Sequence, residues 1–181
     1  QAEDGIRDPL WSRGLGDVYK RQLYSSSELN NEKPSLLMVI CNHCPYVIHY
    51  HEALQFFAND YGTQINMVAI SSNDVEKYPQ DGPEAMKALF KSLGLDFPYL
   101  FDETQEISKI LKAECTPEFY LYDRYNSLVY RGRMDASSPG KDIPITGADL
   151  RAAIDALLEG SSVPSDQLPS MGCSIKWKRS T

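Results

Sequence analysis

Two cysteines three positions apart, Cys41 and Cys44, are the residues whose types and spacing point most directly to chemistry. An apolar run at residues 36–40 precedes them, and a segment with apolar residues at helical spacing follows. Where a strand ends and a helix begins, unpaired backbone N–H groups and the helix dipole stabilise a thiolate. The pattern therefore predicts a dithiol that closes to a disulfide. Cys41, predicted to be the more exposed thiol and the nearer to the helix N-terminus, attacks, and Cys44 resolves the mixed disulfide.

His43, between the two cysteines, is the third predicted catalytic residue. An imidazole beside Cys41 stabilises its thiolate by charge or by a hydrogen bond, which stabilises the reduced form and makes the disulfide a stronger oxidant. A solvent-exposed spacer is the alternative reading of this histidine.

A zinc site is a second reading of the same four residues, because Cys-x-x-Cys is half of a typical structural zinc site and His43 adds a ligand type. The other half is missing from the pattern. Cys115 and Cys173 are single, whereas a closed zinc site takes four ligands in short-spaced pairs. We therefore expect no metal and no cofactor apart from the redox-active disulfide.

A soft Cu(I) ion is a third reading, because thiolates suit it. Its ligands would be Cys41, Cys44 and one histidine among His43, His49 and His51. His49 and His51 are two residues apart on a predicted helix, so they point to different faces. The copper reading therefore stays an alternative to the redox reading.

The composition favours one globular domain. The chain has 181 residues, of which 42% are hydrophobic and 24% charged, enough to bury a core. A net charge of −7 argues against a nucleic-acid or anionic-membrane surface, and no segment of the sequence reads as membrane-spanning. Four cysteines are too few for a disulfide-built scaffold, so each thiol needs its own explanation.

Residues 1–23 show neither an apolar signal core nor a clear period. The chain opens on Gln1, and residues 5–22 resemble a translated library-adapter leader. We therefore expect residues 1–23 to be a non-native leader or disordered, with the true N-terminus missing. The compartment stays open for that reason, with the cytoplasm favoured.

From Pro34 onward, strand and helix patterns alternate. The strands are predicted at residues 36–40, 65–70, 118–122 and 127–131, and the last two form a hairpin around residues 123–126. Helices are predicted from Pro45 to Gly62, from Ala85 to Gly94, after Thr104 and after Thr146. The order β-α-β-α-α-β-β-α, with Cys-x-x-Cys at the first strand-to-helix junction, predicts an α/β thioredoxin-like fold over residues 24–160. Residues 161–181 are predicted to form a tail that packs on this domain.

That fold places a proline, usually cis, at the start of the strand facing the disulfide, so that the neighbouring backbone can pair with an extended substrate. Thr116 and Pro117 stand at that place, directly before the strand at residues 118–122. We therefore predict a cis Thr116–Pro117 bond as the substrate-binding element, although a trans proline opening an edge strand is commoner by default.

Cys115 and Cys173 are candidate auxiliary thiols. Cys115 lies two residues before Pro117, near the predicted active face, and burial as a packing thiol is its alternative. Cys173 lies in a tail whose amphipathic end can fold back over the active site and supply a third redox thiol. A free thiol in a tail anchored by Trp177 is the alternative.

Five segments together resemble the peroxiredoxin-like redoxin proteins, the branch of the thioredoxin superfamily often labelled thioredoxin family or AhpC/TSA-like. They are residues 41–47, 115–117, 129–133, 149–158 and 169–178. The resemblance implies a thioredoxin-like fold with a central mixed sheet, thiol-disulfide exchange and possible antioxidant activity. Its implied partners are protein or small-molecule thiols and disulfides. Members carry an N-terminal β-hairpin, which we expect this chain to lack, leaving an open sheet edge.

A thiol peroxidase is the main alternative enzyme, with peroxides as its substrates. The usual peroxiredoxin signature, Pro-x3-Thr/Ser-x2-Cys, puts Pro34 and Met38 before Cys41, so the hydroxyl is missing in that register. Counting back from Cys44 gives no hydroxyl either. Arg131 or Arg133 can approach the site from the hairpin, although solvated arginines at a strand end are the plainer reading.

Overall fold

The computed structural model describes residues 15–17, 23–24 and 29–179. Its strands are β1 (Leu15–Asp17), β2 (Leu23–Tyr24), β3 (Ser35–Val39), β4 (Asn66–Ser71), β5 (Tyr99–Phe101), β6 (Cys115–Thr116), β7 (Glu118–Tyr122), β8 (Leu128–Gly132) and β9 (Cys173–Ser174). Its helices are α1 (Pro45–His49), α2 (His51–Tyr61), α3 (Pro83–Leu93), α4 (Glu106–Ile110) and α5 (Ala148–Leu158), with a 3-10 turn at Pro79–Asp81. None of these described helices is long and apolar enough to cross a membrane.

The large sheet has the strand order β2-β1-β5-β4-β3-β7-β8. Strand β3 lies between β4, to which it runs parallel, and β7, to which it runs antiparallel. Its side chains alternate between two hydrophobic cores: Leu36 and Met38 pack on one face, and Leu37 and Val39 on the other. Burial on both faces explains why this strand reads as a continuous apolar run.

The N-terminal hairpin is present, so the prediction that it is missing is wrong. Strand β1 pairs antiparallel with β2, and on its other side it pairs antiparallel with β5, Gly16 opposite Phe101. The expected leader therefore contributes a strand at Leu15–Asp17, while residues 1–14 and 18–22 lie outside the described part of the chain. Backbone pairing covers the edge of β5, which would otherwise expose unpaired N–H and C=O groups.

The first predicted helix is two helices in the structure. Tyr50 separates α1 from α2 with a non-helical conformation, φ −98° and ψ 6°. Its buried hydroxyl donates to Asp135 Oδ1 and to the backbone oxygen of Ser137, both at 2.8 Å. These bonds hold Tyr50, where the helix is interrupted, against the loop between β8 and α5.

A second, two-stranded sheet joins the tail to the domain. Strand β9 pairs antiparallel with β6, which ends directly before Pro117. Beyond β9, the backbone N–H of Lys176 donates to Asn73 Oδ1 at 2.8 Å, and that of Lys178 donates to Gln105 Oε1 at 2.8 Å. The end of the tail therefore lies against the domain.

Candidate active site

Cys41 and Cys44 lie in the turn that joins β3 to α1, and both are buried, with 1% and 0% of their surfaces exposed. Cys44 is the N-cap residue of α1, and its backbone oxygen accepts the N–H of Ile48 at 2.9 Å. The sequence analysis put Cys41 at the helix N-terminus and made it the more exposed thiol. The structure puts Cys44 there and exposes neither.

Thr116 contacts both sulfurs from the facing strand. The Thr116 hydroxyl is 3.5 Å from Cys41 Sγ, and the Thr116 carbonyl oxygen accepts from Cys44 Sγ at 3.1 Å. The Thr116–Pro117 peptide bond is cis, as the sequence predicted. The two cysteines and the strand before the cis proline therefore form one contiguous site.

Asp81 holds the turn between the cysteines. It is fully buried, and its Oδ1 accepts the backbone N–H groups of Asn42 at 2.8 Å and His43 at 3.1 Å. Its Oδ2 accepts the side-chain amide of Asn73 at 2.8 Å and pairs with His43 Nδ1 at 2.5 Å. Sequence reasoning missed this residue, since Asp81-Gly82-Pro83 reads only as a turn before a helix.

His43 faces Asp81 as well as the cysteines. Its ring is stacked on Tyr78, with the centroids 5.1 Å apart, and 24% of its side chain is exposed. A ligand nitrogen of His43, Cys41 Sγ and a carboxylate oxygen of Asp81 all lie within 4.8 Å of one another. An imidazole paired with a buried carboxylate is fixed in orientation, so His43 is more than an exposed spacer.

The two thiols titrate as a coupled pair. The hydrogen bond with Cys41 lowers the pKa of Cys44 to about 4. The same bond, together with burial and the negative charge of Asp81, raises the pKa of Cys41 far above its ordinary value. One proton therefore leaves the pair easily and the second is held tightly. The Cys41 thiolate that the sequence predicted is therefore disfavoured by Cys44 and by burial, and further by Asp81, which sequence reasoning did not place there.

The two auxiliary thiols both lie near the pair. Cys115 Sγ is 3.8 Å from the Pro117 carbonyl oxygen, and burial raises the pKa of this thiol to about 12. Cys173 stands opposite Thr116 in the β6–β9 ladder, and its side chain and backbone lie close enough to Cys44 to help lower the pKa of Cys44. The tail thus brings a third sulfur close to Cys44.

His49, Arg131 and Arg133, which the sequence analysis also considered, have partners elsewhere, whereas His51 Nε2 is buried without a hydrogen-bond partner in the described part of the chain. His49 Nε2 bonds to Ser137 Oγ at 2.6 Å, and burial lowers the pKa of His51. Arg131 pairs with Glu118 at 2.8 Å, and Arg133 pairs with Asp149 at 2.6 Å. Among the described residues, the one cluster of metal-ligand type is Cys41, His43 and Asp81, so neither of the other histidines belongs to it.

The sequence and the fold are similar to those of known proteins. The Redoxin family model matches residues 19–150. An uncharacterized conserved protein from Geobacillus kaustophilus is 49% identical, with a TM-score of 0.89 over 93% of this chain and 89% of that one. A hypothetical protein from Sinorhizobium meliloti 1021 is 41% identical, with a TM-score of 0.91 over 98% of this chain and 97% of that one.

A more distant neighbour shares the fold alone. A secreted disulfide oxidoreductase from Mycobacterium tuberculosis, described as homologous to Escherichia coli DsbE, is 16% identical, with a TM-score of 0.61. The superposition covers 82% of this chain and 98% of that one. No curated protein matches the sequence.

Proposed function

Because this chain belongs to the Redoxin family and has the thioredoxin-like fold predicted from its sequence, we propose that it is a thiol-disulfide oxidoreductase whose redox pair is Cys41 and Cys44. The observation that carries the proposal is the contact of both sulfurs with Thr116, the residue before the cis proline. A strand edge at this position can pair with an extended peptide and bring its disulfide to the sulfurs.

The reaction is two successive exchanges. A thiolate of the pair attacks one sulfur of a substrate disulfide, the substrate S–S bond breaks, and its second sulfur leaves as a thiolate that takes up a proton. The other cysteine then attacks the mixed disulfide and releases the second substrate thiol. The substrate gains two electrons, and the enzyme loses two as the Cys41–Cys44 disulfide forms. The reverse sequence oxidises a substrate dithiol.

The attacking sulfur in this proposal is Cys44, which reverses the assignment made from the sequence. Interactions with Cys41, the Thr116 side chain and Cys173 favour negative charge on Cys44, while the bond with Cys44, burial and the charge of Asp81 disfavour it on Cys41. His43 acts as a positioning residue, because its bond to Asp81 fixes the turn that carries both sulfurs. A lowered pKa also stabilises the reduced form, so we expect a potential above the value of about −270 mV typical of thioredoxin.

The test is the reduction potential of the metal-free protein, measured by equilibration in glutathione buffers. We expect a reversible two-electron couple that persists in a Cys173→Ser chain and in a Cys115→Ser chain. Adding either Cys41→Ser or Cys44→Ser to the Cys173→Ser chain should abolish it. An unchanged couple in either double variant would overturn the assignment of the pair. The attacking sulfur is identified separately in the same double variants, as the one that retains a mixed disulfide with substrate when the other cysteine of the pair is serine.

Peroxide reduction is the second candidate, because Thr116 supplies the hydroxyl that the sequence signature lacks. A thiolate would attack the O–O bond, leaving a sulfenic acid and water, and the second cysteine would close the disulfide with loss of another water. Peroxiredoxins also use an arginine near the hydroxyl to orient the peroxide, and the two arginines considered for that role, Arg131 and Arg133, are paired with carboxylates. We therefore expect hydrogen peroxide to oxidise the pair more slowly than a peptide disulfide does.

Metal binding is the third candidate, and it rests on the cluster of Cys41, His43 and Asp81. Both oxygens of Asp81 already accept two hydrogen bonds each, so a metal would have to displace donors of the turn. Cu(I) would instead use the two thiolates and His43. Added Zn²⁺ or Cu(I) should raise the melting temperature of the reduced protein if this candidate is correct, and leave it unchanged if the dithiol is purely redox-active.

A further inference from the structure

The tail of this chain occupies the strand edge that a substrate peptide would use under the proposed function. Strand β9 pairs antiparallel with β6, with Thr116 opposite Cys173 and Cys115 opposite Ser174. Strand addition supplies affinity through main-chain bonds and places alternate side chains into the site. The side chain delivered at Thr116, the residue that contacts both active-site sulfurs, is a cysteine.

The fit of the tail depends on Gly172. A Cβ atom at this position would overlap the carbonyl group of Thr116 and come within 3.2 Å of the Pro117 nitrogen. These are backbone atoms, so no side-chain movement can make room. Only glycine therefore lets the tail approach the cis-proline segment this closely.

Three sulfurs lie near one another at this site, those of Cys41, Cys44 and Cys173, and Cys173 is the most accessible of them. It pairs with Thr116, which contacts Cys44, and it packs against the core that contains both active-site cysteines. Cys41 and Cys44 are 1% and 0% exposed, whereas Cys173 is only partly buried. A molecule arriving from solvent therefore reaches Cys173 more easily than either sulfur of the pair.

We propose that Cys173 is a third redox thiol, an internal substrate that exchanges with the Cys41–Cys44 disulfide and carries the disulfide to the surface. The Cys173 thiolate attacks Cys44 Sγ, the Cys44–Cys173 bond forms, and the Cys41–Cys44 bond breaks. Cys41 leaves as a thiolate and takes up the proton that Cys173 lost. No electrons are gained or lost in this step. An external dithiol then reduces the Cys44–Cys173 disulfide and leaves as its own disulfide.

The contacts of the reduced protein explain why exchange follows oxidation of the pair. Burial, followed by the hydrogen bond to Cys44, raises the pKa of Cys173 to about 11 in the reduced state. Once Cys44 is in a disulfide, it carries neither a negative charge nor a proton. Cys44 then no longer raises the pKa of Cys173. The tail thiol therefore becomes a better nucleophile when there is a disulfide for it to attack.

The first test removes the competing sulfur. The full chain carrying Cys41→Ser is reduced, diluted, oxidised with oxidised glutathione, alkylated and digested, and its disulfides are mapped by mass spectrometry. We expect Cys44–Cys173 to be the main disulfide, forming at a rate independent of protein concentration. Adding Cys173→Ser should leave Cys44 as a glutathione adduct, and adding Cys115→Ser should change nothing. A Cys44–Cys115 disulfide or a persistent adduct in the Cys41→Ser chain would overturn the proposal.

The second test moves the tail without touching a sulfur. In the Cys41→Ser background, Gly172→Ala should slow formation of the Cys44–Cys173 disulfide at least tenfold, because the added methyl group forces β9 away from Thr116. Gly160→Ala is the control: nothing lies within 4 Å of the new methyl group, and any slowing caused by its φ of 72°, which is unusual for alanine, is backbone strain away from Thr116. Equal rates in the two variants would show that β9 does not deliver Cys173.

The two tests separate this inference from the function on which it rests. A Cys44–Cys173 disulfide in the Cys41→Ser chain, with no Cys41–Cys44 couple in the unaltered chain, would refute the proposed function and leave the sulfur contact standing. A normal couple without any Cys44–Cys173 disulfide would refute only the role of Cys173. Circular dichroism of each variant checks that the comparison is between folded proteins.

Discussion

Asp81→Asn is the substitution that best tests how the cysteine turn is held. The amide oxygen can replace Oδ1 and keep the backbone bonds from Asn42 and His43, whose lengths are 2.8 and 3.1 Å. The new NH2 group then stands where Oδ2 accepted two donors, His43 Nδ1 and the Asn73 amide. Donor now faces donor at both contacts, so the question is which of them can adjust.

His43 can adjust and Asn73 cannot. The imidazole can move its proton to Nε2 so that Nδ1 accepts from the new amide. Asn73 would have to turn its amide around, and its Oδ1 already accepts the backbone N–H of Lys176 at 2.8 Å. One charge-assisted bond is therefore lost without replacement, which corresponds to about 1.5–3 kcal/mol of unfolding free energy.

The measurement is urea unfolding of the reduced proteins at pH 7, followed by far-ultraviolet circular dichroism. We expect a lower midpoint with an unchanged m-value, which indicates a change in stability alone. Asp142→Asn is the matched control, since Asp142 is exposed and its substitution should change the free energy of unfolding by no more than about 0.5 kcal/mol. If Asp81→Asn lowers the free energy of unfolding no more than Asp142→Asn does, the buried carboxylate does not hold the turn as described.

A functional measurement accompanies the stability measurement. The negative charge of Asp81 contributes to the raised pKa of Cys41, after the bond to Cys44 and burial. Removing that charge should favour the thiolate, so Cys41 should react faster with iodoacetamide when Asp81→Asn is added to a Cys44→Ser chain. A slower reaction would mean that the loss of the His43 pairing outweighs the loss of charge.

Three further predictions concern separate parts of the chain. Because its hydrogen bond with Cys41 lowers the pKa of Cys44 to about 4, thiolate absorbance at 240 nm in the reduced protein should persist from pH 8 to about pH 5, and Cys44→Ser should abolish it. The pKa of Asp135 lies below its ordinary 3.8, because burial is outweighed by hydrogen bonds from Gly147, Tyr50, Ser137 and Thr146. Ionised Asp135 therefore stabilises the fold above pH 3.8, and this stabilisation is lost as the pH falls through the lowered pKa. Asp135→Asn should therefore melt lower at pH 7 and lose less stability between pH 7 and pH 3 than the unaltered protein; equal losses would contradict the assignment. Gly147 and Gly94 have similar positive φ values, 68° and 63°, but a methyl group added at Gly147 would overlap the Phe57 ring, whereas one at Gly94 would meet nothing within 4 Å. In the same urea assay, Gly147→Ala should therefore lower the free energy of unfolding by about 1–3 kcal/mol more than Gly94→Ala.

The parts of the fold that the sequence predicted are those whose signal is local. The run at residues 36–40 is apolar because β3 is buried on both faces, so the apolar sequence by itself indicates a central strand. Strands β4, β7 and β8 fall within one residue of their predicted ranges for the same kind of reason. The cis proline was predictable because Thr116 and Pro117 directly precede one of these strands.

The break at Tyr50 and the role of Asp81 could not be predicted, because distant residues decide both. Tyr50 fits the helical spacing, and only its bonds to the loop at Asp135 and Ser137 show why the helix stops there. Asp81 lies in a polar loop where an acidic residue is ordinary. Its function depends on Asn42 and His43, almost 40 positions earlier in the chain.

The short strands were missed for a different reason, and it bears on the proposed chemistry. Strands β1, β2 and β9 have two or three residues each, too few to establish an alternating pattern, and main-chain pairing to an existing edge requires no particular side chain. A segment held in this way is also one that a competing strand can replace. If β9 pairs with β6 only through its backbone and the space at Gly172, an extended substrate can take its place, and the chain must release its tail before the pair acts on another protein. Cys173 would then leave the cluster together with β9, so internal exchange and attack on an external substrate are alternatives at the same edge rather than simultaneous events.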